Sequence, residues 1–263
     1  MRSILLSAVL LGGAVGGPAG AQPQATPSAE IAPTGRLRVG FPLGSPILAR
    51  RGPDGNVTGV VVDLGQFIAG ELSLAFEPVI HANQEACAQS FGKGEWDVVI
   101  GVRSKLAERW TDTSPDFTLA DGMYIGAPGR EFTDATIIDR SGVKVGVSRG
   151  GGSDQNLSRA LKSAGVVRVP GGVTHAVEAL RAGTVDVWAA NPVTLGEIEE
   201  TLPGSTVIPG AWTTARYAAS LPKGRSVAAR DKLAQIVSEA IRTGVVRASI
   251  EREGFKGVRV VAE

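Results

Sequence analysis

The sequence predicts an α/β protein of two lobes, with mainly parallel sheets flanked by helices. Two observations carry this. The phrase Gly94-Glu95-Trp96-Asp97-Val98 returns, with the same internal spacing, as Gly183-Thr184-Val185-Asp186-Val187. Each copy closes a helical pattern, turns on a glycine and enters a short apolar strand through an aspartate. Around both copies, strand-like and helix-like runs alternate, the order that produces parallel sheets covered on both faces. A helix–Gly–strand unit used twice implies two lobes, and two lobes enclose a cleft where function is expected.

The elements follow in order. Met1-Arg2 precedes an apolar run from Ile4 to Val15 and small residues ending Ala19-Gly20-Ala21. This is the three-part pattern of a secretion signal, residues 1–21, cleaved after Ala21. The run is shorter than the roughly 20 residues of a membrane span. No cysteine follows the cleavage site, so the mature chain is expected to be free in the periplasm. Residues 22–34, rich in Pro, Ala, Ser and Gln, read as a disordered lead-in.

Leu37 to Phe41 reads as a strand. Pro53-Asp54-Gly55-Asn56 is turn chemistry, with a returning strand over Val57 to Val61. A helix is expected from Val62 to about Leu72, with Leu64, Phe67, Ile68 and Leu72 at helical spacing. A strand follows over Leu74 to Val79. Asn83 is placed to cap a helix reaching Phe91. Asp97 to Val102 is the strand of the first echo. Arg103 to Phe117 reads as irregular and polar, and Asp121 to Ala127 as an extended crossing to the second half.

There, Val143 to Val147 is a strand, Gly150-Gly151-Gly152-Ser153 a loop, and Asp154 to Ala164 a helix. Val166–Val169, His175–Arg181, Asp186–Ala190, Pro192–Glu200 and Val207-Ile208 continue the alternation. Tyr217 to Leu221 is expected as the last strand. Val227 to Arg247 is helical, with a break near Thr243-Gly244, and Val258 to Val261 is an apolar tail.

The chain carries 27 basic and 26 acidic side chains. This balance argues against nucleic acid or an anionic membrane as partner. Aromatic residues make up 5% of the chain, too few for a base-stacking platform. Cys87 is the only cysteine, so no internal disulfide forms, and a buried free thiol is expected.

The glycine loop Gly150-Gly151-Gly152 sits between a strand and a helix. Helix N-termini expose unpaired amides that attract anions. The loop lacks the Gly-Lys-Ser/Thr of a phosphate loop. An amide nest for a carboxylate and a flexible turn both remain open. Arg103 and Arg109 follow the strand ending at Val102, and ligands in open α/β sheets sit beyond the carboxyl ends of strands. A guanidinium grips a carboxylate with two parallel bonds. The competing reading is a solvated arginine, or an ion pair with Glu108 or Asp112.

His81 and Glu85 are four residues apart but lack a third metal ligand. Asp54, Asn56 and Thr58 lack the closing Glu of a calcium loop. His175 is placed at a surface helix, and two histidines assemble no triad. No catalytic residue, metal or cofactor is assigned. Asp97 and Asp186 read as structural, because an acid entering a strand after a glycine turn ties down loop amides.

Taken together, Leu37-Arg38-Val39-Gly40, Asp54-Gly55, Gly59, Val62-Asp63-Leu64, Gly94-Glu95-Trp96-Asp97, Glu108-Arg109 and Asp112 to Phe117 form an ordered series. The second half adds Gly142 to Val147, Gly150, Gly183-Thr184-Val185-Asp186 and Pro222-Lys223-Gly224. This series, from Gly35 onward, resembles the extracytoplasmic solute-binding proteins of ABC importers, family 3, the polar amino-acid type, in a divergent subgroup. The resemblance implies the type II two-lobe periplasmic-binding-protein fold. Lobe I would hold residues 35–118 and 215–263, and lobe II residues 119–214. The crossings would fall near Leu119–Asp121 and Ala215–Ala218, with hinge closure on the ligand.

The resemblance also implies a binding site. Arg109 falls where relatives grip the ligand carboxylate, and Ser104 at a hydroxyl position beyond Gly101. Leu106 stands where relatives have a threonine. Ser45 and Val79 replace first-lobe aromatics. Gly150-Gly151-Gly152 replaces Gly-Thr-Thr, and Asn191 replaces the acid that holds a ligand ammonium. An amide supplies no full counter-charge, so the expected solute is small and polar or carboxylate-bearing rather than a standard α-amino acid. The expected partners are that solute and the membrane permease of an ABC importer, met by a monomer. Two alternatives are a periplasmic dehydratase-like enzyme acting on prephenate-like acids, with Glu85, Glu108 and His81 as proton-transfer candidates, and a sensor feeding a membrane receptor.

Overall fold

The computed structural model describes residues 26–43, 47–254 and 257–261. The secretion signal, its cleavage after Ala21, and Ser45 lie outside the described residues.

Part of the expected disordered lead-in is a helix, α1 (Pro27–Ile31). Thr26 caps it by accepting the Ala29 N–H, and proline opens it. Five residues do not hold a helix alone. Tertiary contact does: Ile31 is fully buried in the first core, and Glu30 accepts the Ser226 N–H at 3.0 Å. The Pro/Ala/Ser composition hides a capped start followed by one apolar anchor.

Strand β1 (Arg36–Pro42) leads to a small hairpin of β2 (Arg50–Arg51) and β3 (Val57–Thr58). The returning strand expected through Val61 stops at Thr58. Val60, Val61, Leu64 and Ile68 instead form the buried stripe of helix α2 (Val60–Glu71). Their helical spacing places all four in one core, which a strand would split between two faces. Next come β4 (Ala75–His81), α3 (Gln84–Gln89) and β5 (Val98–Val102). Asn83 caps α3 by accepting the Ala86 N–H at 2.9 Å. The stretch expected to be irregular after Val102 holds a single helical turn, α4 (Ala107–Trp110), then the long strand β6 (Thr111–Gly126). Pairing with a later strand supplies order that its polar composition conceals.

The second half runs β7 (Lys144–Ser148), α5 (Gly152–Ala160), β8 (Gly165–Val169), α6 (Val173–Arg181), β9 (Val187–Ala190), α7 (Pro192–Thr201) and β10 (Thr206–Pro222). Helix α5 ends at Ala160, short of Ala164, because Asp139 captures the Lys162, Ser163 and Ala164 amides. The strand expected over Tyr217–Leu221 is the end of β10. Helices α8 (Val227–Arg242) and α9 (Val245–Arg252) break at Gly244, and the apolar tail forms β11 (Val258–Val260).

The strands pair in the order β4-β1-β5-β10-β6-β9-β7-β8, with β11 beside β6. The outer triplets β4-β1-β5 and β9-β7-β8 are parallel. Between them, β10 and β6 run antiparallel and cross from one half to the other. Leu119, Ala120 and Asp121 pair there with Arg216, Ala215 and Thr214. Trp212 lies over this crossing, its Nε1 donating to the Met123 carbonyl at 3.1 Å.

Each half has its own core. The first gathers Phe41, Leu64, Ile68, Phe117, Leu221 and Leu233 on one face of its triplet, with Cys87, Trp96 and Val99 on the other. The second covers its triplet with Ile125, Leu180, Leu195 and Ile198 on one side and Val145, Val147 and Leu157 on the other. Full burial of each large aliphatic contributes about 1.5–3 kcal/mol.

The two echo aspartates do the same work. The Asp97 N–H donates to the Arg38 carbonyl at 2.8 Å, and the Arg38 N–H donates to Asp97 Oδ2 at 3.0 Å. The Asp186 N–H donates to the Lys144 carbonyl at 2.8 Å, and the Lys144 N–H returns to Asp186 Oδ2 at 2.8 Å. Each carboxylate thereby starts the neighbouring parallel strand. Each also meets an arginine at 2.7 Å, Arg38 for Asp97 and Arg130 for Asp186. Two residues on, Gly40 and Gly146 lie under an indole. A Cβ there would come within 2.9 Å of Trp96 and 2.4 Å of Trp188. The echo therefore includes a second phrase, Arg38-Val39-Gly40 and Lys144-Val145-Gly146.

Candidate functional site

Parallel pairing brings the carboxyl ends of β1, β4 and β5 to one edge. At the end of β5, Gly101 pairs with Ala218 and faces open space where a Cβ would stand. Beyond it the chain turns through Ser104, whose Oγ accepts the Ala107 N–H at 3.2 Å and whose carbonyl accepts the Glu108 N–H at 3.0 Å. Ser104 thus starts α4, which carries Arg109. The Ser104 hydroxyl proton is not used in this bond.

The two arginines differ. Arg103 is committed: its guanidinium lies 3.2 Å from Asp116 and 3.7 Å from Glu108, and Asp116 also meets Arg216 at 3.0 Å. Arg109 is exposed, and its guanidinium has no acidic partner among the described residues. The acids named in the competing reading go elsewhere, Glu108 to Arg103 and Asp112 to Arg230 at 3.7 Å. Leu106, on the same turn, is 47% exposed.

His81 ends β4 opposite Pro42 and is buried, with its Nε2 unpartnered. Burial lowers its pKa, opposed by nearby Glu95. Glu85 instead accepts from Gln89 at 3.3 Å. Among the described residues no group of three or more His, Cys, Asp or Glu is placed to hold a metal. Val79 packs against the cluster of Cys87, Trp96 and Val99.

In the second half, β7 and β9 are parallel neighbours, so the glycine loop and Asn191 share an edge. Gly150 has a φ of +72°, the left-handed region that favours glycine. Its N–H donates to Asp154 Oδ2 at 2.9 Å, and the Gly151 N–H to the Ser148 carbonyl at 3.0 Å. Two of the three loop amides are therefore used inside the loop, and Gly152 opens α5. Burial would raise the Asp154 carboxyl. The Gly150 amide, the Ser158 hydroxyl and Arg168 together hold it below the usual carboxylate range. Asn191 caps α7, its Oδ1 accepting the Thr194 N–H at 3.0 Å. The amide nitrogen is left as a donor. This position offers N–H groups and no carboxylate.

Comparison with solved structures places the whole arrangement. A mutant of ArgBP from T. maritima is 22% identical with a TM-score of 0.69, covering 87% of this chain and 99% of that one. An amino acid ABC transporter substrate-binding protein from Streptococcus pneumoniae Canada MDR_19A, bound to L-arginine, is 17% identical with a TM-score of 0.69, covering 90% and 100%. The ancestral amino acid-binding protein AncCDT-1, a precursor of cyclohexadienyl dehydratase, is 18% identical with a TM-score of 0.69, covering 87% and 99%. The chain has the two-lobe periplasmic-binding-protein fold. No family model and no curated protein matches the sequence.

Within this binding-protein fold the candidate residues fall into two groups. Gly101, Ser104 and Arg109 lie at the first-lobe edge, and Gly150, Gly151, Gly152 and Asn191 at the second-lobe edge. Ser45 falls outside the described residues. Two residues that sequence reasoning missed join the lobes: Arg50 Nη2 lies 3.3 Å from Glu197 Oε1. No local pattern marks them, because 147 positions separate the pair. No helix among the described residues is long and apolar enough to cross a membrane.

Proposed function

We propose that this protein is a periplasmic binding protein that captures a small carboxylate-bearing or polar solute between its lobes and delivers it to an ABC-type permease. The observation that carries this reading is the unneutralised guanidinium of Arg109 at the strand edge, beside acids that are all paired elsewhere. Ser104 and the donor side of Asn191 supply polar contacts, and exposed Leu106 supports an apolar portion in the solute. Several of the similar structures are named for arginine binding or were solved with L-arginine. Asn191 argues for a different choice here, because its amide gives a ligand ammonium no counter-charge. We further infer lobe I as residues 35–118 and 215–263 and lobe II as residues 119–214, moving as a hinge about the β6–β10 crossing.

Titration calorimetry against small carboxylic acids, amino acids and amines tests the reading. Carboxylates bind, amines lacking a carboxylate do not, and Arg109→Ala weakens binding by about 10- to 100-fold, the loss of a charge-assisted hydrogen bond. A folded protein that binds nothing in the panel refutes it. A second reading, a dehydratase-like enzyme on the same scaffold, draws on the unpartnered Nε2 of His81. Loss of prephenate or arogenate, followed by ultraviolet absorbance and abolished by His81→Ala, is its signature.

A further inference from the structure

We propose that helix α7 is a built-in clasp that holds the lobes together before any solute arrives. The consequence for affinity rests on the binding reading above; the clasp itself concerns only the lobes. Among the described residues, α7 is the one helix with members in both lobes' cores. Leu195 and Ile198 belong to the second-lobe cluster, whereas Val193 is buried in the first-lobe cluster. The start of the helix presses on the C-terminal segment, where a Cβ built on Gly257 would come 2.6 Å from Pro192. One turn on, Glu197 meets Arg50 of the first lobe at 3.3 Å. Val193 and Glu197 are four apart, so they share one face of the helix.

The contacts are unequal. The Arg50 and Glu197 side chains are 39% and 40% exposed, so water screens the pair and it contributes little. Val193 is only 8% exposed and is the main anchor. Because Asn191 caps the same helix, a solute bonded to Asn191 attaches to an element already seated on the opposite lobe. Apparent affinity then rises with the fraction of molecules already closed.

Pulsed electron spin measurements on Lys93→Cys/Arg181→Cys protein, spin-labelled at both sites and free of solute, read the distance between lobes. Native Cys87 is buried and stays unlabelled. The parent shows one short separation. Val193→Asp places a carboxylate where the first helical turn accepts it but the apolar cluster does not, moving the closed-to-open ratio toward open by about tenfold or more. Glu197→Arg moves it by about two- to five-fold. A parent that is already open, or a Val193→Asp protein with an unchanged distance distribution, overturns the proposal. The readout uses no solute, so a protein that binds nothing in the calorimetric panel still tests the clasp.

Discussion

At the scale of single residues, chemistry follows from which charges are already satisfied. Asp97 and Asp186 occupy equivalent places, yet their partners differ in exposure. Asp97 is fully buried and Arg38 is 24% exposed, whereas Arg130, opposite Asp186, is 60% exposed. Asp97 accepts the Arg38 N–H and guanidinium, and losing such charge-assisted hydrogen bonds costs about 1.5–3 kcal/mol. Asp97→Ala is therefore expected to destabilise by that amount in urea unfolding. Asp186→Ala costs less, because Arg130 returns to water. Equal losses would show that strand-start hydrogen bonds, not the guanidinium, dominate. The same logic separates the arginines of the site. Sequence placed both beyond β5 and could not rank them from spacing. Asp116 and Glu108 rank them by occupying Arg103. Asp116 is thirteen positions from Arg103, and its second partner, Arg216, arrives from another strand, beyond any local pattern.

At the scale of elements, apolar spacing was a good guide where a helix buries one stripe and a poor one where partners supply the order. Helix α2 was legible through Leu64 and Ile68, although its first turn was mistaken for strand. Helix α1 was not, since five residues carry too little periodicity. Its test is Ile31→Ala, which is expected to cost about 2–5 kcal/mol, the range for truncating a buried aliphatic. Urea or thermal unfolding measures it, and no change would mean that the segment adds nothing to the first core. β6 was half legible. Its end was expected as an extended crossing from Asp121, whereas its polar start read as irregular because the order there comes from pairing with β10, about a hundred positions away in the chain.

At the scale of the whole molecule, Cys87 reports on opening. Burial pushes its thiol up to about 12, and it is the buried residue of α3, clustered with Trp96 and Val99 of the first lobe. Only thiolate reacts, so at pH 8 a thiol reagent is expected to modify native protein very slowly. The rate rises steeply through the urea transition and tracks it, because exposure requires the lobe to open. Rapid reaction in native buffer would show that α3 detaches locally.

The sequence by itself determined the architecture: two glycine-turn aspartates entering strands, with strand and helix alternating around them, admit few arrangements beyond two parallel α/β units. These are short-range features, written in neighbouring residues. Local spacing offered Arg103 and Arg109 alike as the ligand grip, and the family resemblance singled out Arg109. Only the tertiary structure decided that Arg109 keeps its charge unpaired, that the glycine loop spends two amides on itself, that Asn191 caps a helix, and that this helix reaches into the opposite lobe. Each of those depends on groups far apart in the chain. Pairing of charges and burial of side chains are properties of the folded distances, which sequence spacing does not contain.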